Sequence, residues 1–277
     1  MRHVGAEPPE PPEPPELEGP EREGPEREGP ELEGPEPDVR CYAVSHPGGP
    51  VRLPQDPAWH QLVYAVQGVL TVDTPVGAWV VPPHRAAWVP AGVTHRLLLS
   101  GRTTLRTLYL QRELALLPPI CRVVDVSPLV RELILEAVRS APLRMADPVS
   151  ARLVGVLADQ LATLPETALR LPVPRDPRAA AVAALLRTDP ALDVSVDVLA
   201  RRANASRRAL ERVFRAETGM SVGQWRRRYR MLEALRLLAA GESATSVAAR
   251  VGYATPSAFS AAFRAELGGT PARWFDR

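Results

Sequence analysis

Between residues 41 and 111 apolar and polar positions alternate in short runs. "QLVYAVQGVLTVDTPVGAWVVP" keeps a two-residue period and is broken by turn chemistry at "DTPVG", the pattern of half-buried strands. "RAAWVPAGVTHRLLL" and "TTLRTLYLQ" continue it. Short, closely spaced strands with Gly and Pro between them predict a small barrel or sandwich. Over 127–164 the spacing becomes helical. "SPLVRELILEAVRS" opens on a Ser cap with Pro at the first helical position, and "DPVSARLVGVLADQLATL" does the same with Asp147 and Pro148. "PETALRLPVPRDP" (165–177) reads as a Pro-rich linker, and everything after it as helix.

The helical part repeats. With an offset of 49 residues, "VLARRANASRRALERVFRAETGMSVGQW" (198–225) lies over "VAARVGYATPSAFSAAFRAELGGTPARW" (247–274), identical at 11 of 28 positions. In the first copy Val196, Leu199, Ala200 and Ala203 form one face of a short helix, "NA" a tight connection, and Ser206 a cap for the next helix. There Leu210, Val213 and Phe214 share a face, Arg207, Arg208, Glu211, Arg212 and Arg215 occupy the rest, and Gly219 stops the helix. In the second copy Thr255 caps, Pro256 starts the helix, Phe259, Ala262 and Phe263 face inward, and Gly268 stops it. This is helix-turn-helix grammar. Between the copies, "VGQWRRRYRMLEALRLLAAG" carries an apolar stripe of Leu232, Leu235, Leu238 and Ala239. A helix of that size is a rod of roughly 28 Å, close to the ~34 Å repeat of B-DNA. It can hold two helices in successive major grooves.

Composition sharpens this. The formal net charge is +2, but residues 1–40 come to −9, residues 41–177 to +3 and residues 178–277 to +8. All 34 basic residues are Arg. A basic C-terminal domain is the electrostatic footprint of a phosphate-backbone binder. "EGPEREGPEREGPELEGPEP" is acidic, low in complexity and nearly devoid of apolar residues, so 1–40 is expected to be a disordered tail. No run approaches a membrane span, and "MRHVGAEPPE" lacks a signal peptide's apolar core. Cys41 and Cys121 fit neither a disulfide framework nor a zinc spacing, which points to a reducing, cytoplasmic setting.

Residues 178–277 resemble the DNA-binding domain of AraC-type transcription regulators, through "LARRANASRRALERVFRAETGMSVGQW", "RMLEALRLLAAG" and "VAARVGYATPSAFSAAFRAELGGTPARWF". The resemblance implies double-stranded DNA as partner, with Ser206, Arg207, Arg208, Glu211, Arg212 and Arg215 on the first recognition helix. On the second it implies Thr255, Ser257, Ser260, Ala261 and Arg264. Arginine is the commonest reader of guanine, so the first helix is expected to carry more base specificity and the second more positioning. Where relatives carry a basic tail after the final Pro-x-x-aromatic, this chain has "RWFDR".

"WHQLVYAVQGVLTV", "GAWVVPPHRAAWVPAGVTH" and "LRTLYL" resemble the cupin-like sensor domain found in a subgroup of these regulators. The whole chain then reads as α+β and multidomain: a small cupin-like β-barrel followed by helices, then an all-α double helix-turn-helix domain. The expected boundaries are a tail at 1–40, a sensor barrel at 41–125, a helical dimerisation segment at 126–164, the linker at 165–177 and the DNA-binding domain at 178–277. Trp59, His60, Gln61, Tyr64, Trp79, Trp88, His95 and Tyr109 are the candidate lining of an effector pocket, apolar walls with few polar groups; the same aromatics suit a barrel core. His95 stands where cupins place their later metal ligand, but Gln55 and Pro57 occupy the positions of the His-x-His pair, and His84 sits in a loop. Two histidines and an amide make a poor metal site, so neither metal nor cofactor is assigned. The leading expectation is a dimeric, effector-responsive regulator with RNA polymerase as a further partner and no catalytic role. The alternatives are a metal-dependent cupin enzyme with an accessory DNA-binding domain and a partner-binding scaffold.

Overall fold

A computed structural model describes residues 36–51, 57–114, 117–167 and 169–275. Most of the acidic tail, and Gln55, lie outside the described residues. Two sixteen-residue strands, β3 (Trp59–Thr74) and β6 (Arg96–Gln111), run antiparallel along nearly their full length. The free edge of β6 takes β1 (Val39–His46) and β2 (Gly49–Val51). The other edge of β3 is shared: its first half pairs with β5 (Arg85–Val89) and its second with β4 (Gly77–Val81). The change of partner coincides with register shifts around Gln67 and with Gly68 at φ 77°. A Cβ on Gly68 would lie 2.4 Å from the Thr103 hydroxyl and 2.6 Å from the Arg102 carbonyl, so only glycine allows the strands to cross this closely.

Beyond β5 and β4 lie β7 (Arg122–Asp125) and β8 (Arg170–Pro172). Among the described residues no ladder joins these outer strands to β1, so the sheet is open where the sequence suggested a closed barrel. Its edges are covered locally. Val39 exchanges both backbone hydrogen bonds with Leu143, and Thr167 donates to the carbonyl of Val123. Segments flanking the helices thus take the edge hydrogen bonds that barrel closure would satisfy. β8 itself comes from the stretch read as a linker.

Adjacent strand residues point to opposite faces. The Leu62, Tyr64, Trp88, Leu108 and Leu110 face packs on two helices, α1 (Pro128–Ser140) and α2 (Pro148–Thr163). Ser127 and Asp147 cap them as expected, each with Pro in the first turn. A second core begins at Val63 and Val69, passes through Leu171 of β8, and continues without a break into the C-terminal helices.

Those helices are α3 (Pro177–Thr188), α4 (Val196–Arg202), α5 (Arg207–Thr218), α6 (Val222–Ala239), α7 (Ala244–Arg250), α8 (Pro256–Leu267) and α9 (Pro271–Phe275). Ser206 and Thr255 cap α5 and α8, and Gly219 and Gly268 end them in the left-handed conformation. Leu210, Phe214, Phe259 and Phe263 are buried, with Val213 and Ala262 packed at the margin. One detail differs from the 49-residue offset. The recognition helices obey it, but α4 and α7 are related by 48: Leu199 and Ala200 match Val247 and Ala248. The second turn therefore holds one more residue between its positive-φ residue, Gly252, and its cap than the first holds after Asn204.

α6 joins the two units and docks on the sheet. Its Trp225 donates through Nε1 to Pro172 at 2.8 Å, and Arg228 donates to the Arg170 carbonyl at 2.8 Å. At its far end Arg236 reaches Ser100 at 3.4 Å, and Gly101, at φ 69°, abuts the helix terminus. A Cβ on Gly101 would fall 2.0 Å from the Ala239 carbonyl oxygen.

Two variants test this packing. Phe214→Ala opens a cavity in the first unit and should cost about 3–5 kcal/mol of stability, read as a lower Tm; an unchanged Tm contradicts its inward placement. Gly101→Ala should destabilise by about 1–3 kcal/mol through backbone strain and push the sheet off α6. Calorimetry should then resolve two unfolding transitions, whereas a single transition at the original Tm contradicts the close docking.

Candidate nucleic-acid interface and sensor face

The outward side of α5 is an arginine surface. Arg207, Arg208, Arg212 and Arg215 are all exposed. Arg208 and Arg212 have no ion pair among the described residues. Arg207 meets Asp197 at 3.2 Å, and both side chains are at least half exposed, so the pair is weak and readily exchanged for a phosphate. Ser206 and Thr255 use their hydroxyls to accept from Ala209 and Ala258, at 3.2 and 3.1 Å. Their hydroxyls are thereby engaged in shaping the helix starts, whose first backbone N–H groups suit phosphate.

Glu211 turns away from this surface. It is half-buried and accepts from the backbone N–H of Val222 at 3.3 Å, capping α6, while Arg215 lies 3.9 Å off. On α8, Ser257, Ala261 and Arg264 are exposed, and Ser260 is half-buried. The second surface is thus smaller and less charged than the first.

Part of the basic excess serves elsewhere. In "RRRYR", Arg226 donates to the Val194 carbonyl at 2.9 Å and Arg228 pairs with Glu266 at 3.3 Å. Arg230 donates to Pro190 at 2.7 Å, to Leu192 at 3.3 Å and to Gly252 at 3.4 Å. Charge counting could not separate these ties from phosphate binders. Their helical period could have done so, because Arg226 and Arg230 are four residues apart on one side of α6, leaving Arg227 exposed.

The eight candidate pocket residues are all buried, but they do not converge. His60 shares a face of β3 with Tyr64, toward α1 and α2. It stacks on Trp88 at 4.9 Å, and its Nδ1 accepts from Ala91 at 2.9 Å. Burial pulls its pKa down, opposed by the hydrogen bond to the Arg112 carbonyl. Trp59 and Gln61 face the other way, Trp59 beneath the Arg40 guanidinium at 4.4 Å. Trp79 is at the far end of β3, opposite Val72 and under Arg170.

Three of the eight do meet. His95 Nε2 lies 2.7 Å from Gln61 Oε1, and Gln61 Nε2 lies 2.7 Å from the Tyr109 hydroxyl. His95 Nδ1 donates to the Val93 carbonyl at 2.8 Å. Two proton arrangements satisfy this chain: an imidazolium donating to both oxygens, or a neutral ring facing a rotated amide that donates to Nε2 and accepts from Tyr109. Burial raises the Tyr109 pKa. Alternation along "WHQ" was the signal that could have separated His60 from Gln61, since neighbours in a strand cannot line one face.

A family profile described as a helix-turn-helix domain matches residues 199–277. The HTH-type transcriptional regulator NimR of Escherichia coli K12 is 33% identical over 217 residues, covering 78% of this chain and 80% of that protein. The HTH-type transcriptional regulator RipA of Corynebacterium glutamicum is 36% identical over 125 residues, covering 45% and 36%. Among solved structures, the DNA-binding domain of the global transcriptional factor AdpA in complex with a target DNA is 38% identical. It covers 37% of this chain and 92% of that one, with a TM-score of 0.34. A repeated, arginine-faced helix-turn-helix joined to a sheet-rich N-terminal region, matched along most of a whole regulator, places the chain in the AraC-type family of helix-turn-helix transcriptional regulators.

Proposed function

We propose that the chain regulates transcription by setting α5 and α8 into successive major grooves on one face of a DNA duplex, under control of a small molecule bound by the N-terminal region. The observation that carries this reading is Arg208 and Arg212 on α5, exposed and without an ion pair among the described residues, with α8 repeating the same capped scaffold. In this reading Arg208 and Arg212 contact base edges or phosphates, as do Arg207 and Arg215 once freed of their weak partners. Ser257, Ser260, Ala261 and Arg264 serve the second groove, while Ser206 and Thr255 present helix N-termini. Glu211 acts through the start of α6.

For the cupin-like sensor at 41–125, the effector contacts are assigned to Trp59, Gln61, His95 and Tyr109. The hydroxyl of Thr107, buried on the same face without a hydrogen-bond partner among the described residues, supports a polar ligand there. The helical segment 126–164 is assigned to homodimerisation, supported by the exposed apolar side chains Leu129, Val149 and Val156. The functional dimer then acts in the cytoplasm, where RNA polymerase is its further partner, and the chain carries no catalytic role.

Binding of purified protein to a pool of genomic fragments at two salt concentrations tests the core of this. Occupancy should fall steeply with salt as counterions are released, and enriched fragments should share a sequence. Arg208→Ala should lose about 1–3 kcal/mol and relax preference at one base position. A uniform loss across sequences reassigns Arg208 to phosphate; salt-insensitive or absent DNA binding contradicts the reading.

A further inference from the structure

A cavity of about 820 Å³ opens on the face of β3 away from Gln61. Its walls come from both halves of the chain: Tyr64, Arg85, Asp125 and Arg131 from the sheet and α1, and Gly268 and Trp274 from the end of α8 and from α9. The volume is that of a small-molecule site. It shares only Tyr64 with the eight residues picked from the sequence, and none with the Gln61–His95–Tyr109 chain.

Its chemistry is uneven. Arg85 is committed: it pairs with Asp125 at 2.9 Å, and its guanidinium covers the Trp274 ring at 4.1 Å. That stack holds α9 against the sheet and builds a flat apolar wall. Two groups are not so committed. Tyr64 is 1% exposed, and among the described residues its hydroxyl has no acceptor within ordinary hydrogen-bond geometry, an unsatisfied donor at the cavity wall. The Arg131 guanidinium lies beside the Tyr64 hydroxyl, so the two groups converge on one spot of the wall, and it also forms an exposed pair with its sequence neighbour Glu132, at 3.2 Å with both side chains about half exposed. Such a pair holds little free energy and can exchange for a better-placed anion. His84, at φ 63°, lies at the same wall, so cationic and neutral donors outnumber the one carboxylate, Asp125.

We propose that this cavity binds a small organic carboxylate with a flat apolar body. The carboxylate is held by Arg131 and the Tyr64 hydroxyl, and the body lies against Trp274. The ligand then reaches the second recognition helix in two ways: through Trp274 of α9, which packs edge-on against Phe263 of α8 at 6.2 Å, and at Leu267 and Gly268, where the end of α8 lines the cavity. Occupancy is thereby coupled to how α8 is held, separately from any ligand on the Gln61 face.

The test uses 2-naphthoate and its neutral counterpart 2-naphthamide in calorimetric titrations of the full chain. Naphthoate should bind once per chain, about tenfold tighter than the amide. Arg131→Gln should erase that ratio, and Tyr64→Phe should weaken naphthoate about tenfold, with melting curves confirming that both variants fold. No binding up to about 1 mM, equal affinity for acid and amide, or unchanged binding in both variants overturns the proposal. Salt-sensitive DNA binding without ligand is scored separately. Its loss with naphthoate binding intact would sink the regulator reading and leave the site standing; the converse would sink only the site.

Discussion

Arg230 sits in the middle of α6 and reaches into both helix-turn-helix units. Its guanidinium donates to the carbonyls of Pro190 and Leu192, which lead into α4, and to that of Gly252, the turn of the second unit. A backbone carbonyl in a loop has no ladder partner, and leaving it buried is expensive. One half-buried cation therefore satisfies three such groups and, in doing so, fixes the two units relative to each other. The spacing of α5 and α8 follows. It depends on an eighteen-residue rod, about 27 Å long, whose buried side carries Trp225, Leu232 and Leu235. Two recognition helices on a loose tether would lose the entropy of ordering each time they met DNA. On a rod with a central tie that ordering is done on folding.

The same rod is where the N-terminal sheet takes hold. Trp225 bonds to Pro172 of β8, Gly101 of β6 lies against the end of α6, and the apolar core runs without interruption from Val63 to Phe263. A ligand that alters the sheet has a packed route to the recognition helices. Such a route conveys a signal only where the ligand binds two arrangements with different affinity. The Arg85–Trp274 stack is a second junction, between the sheet and α9. The docked linker makes both junctions short: β8 pairs with β4, and the backbone N–H groups of Arg175 and Asp176 donate to Glu217 of α5.

The helix-turn-helix units were legible because everything that defines them is local. A cap, a Pro, an apolar stripe and a stop glycine fall within a dozen residues, and the repeat wrote them twice. Most of what escaped was non-local. The one-residue difference between the turns hides in an ungapped comparison, because the identities after the cap dominate the match. Barrel closure could not be read from strand-like segments, since whether β1 meets a far strand or Leu143 depends on distant chain. Arg226, Arg228 and Arg230 counted toward a DNA-binding charge that they spend on carbonyls and Glu266, and no charge sum tells a tie from a contact. In the sensor, grouping His60 with Gln61 ignored the alternation that sends them to opposite faces. The cavity beside Trp274 was beyond reach, because its walls are some 200 residues apart in sequence and meet only after the two halves pack.

Hydroxyl-radical footprinting on an enriched fragment tests the rod most directly. If α6 and Arg230 hold α5 and α8 as one rigid reader, each chain should protect two patches on one face of the duplex. Their centres should lie about 10 bp apart, and inserting about 5 bp between the two sequence elements should abolish protection of one of them. A single protected patch, or two patches that tolerate the insertion, would contradict the account.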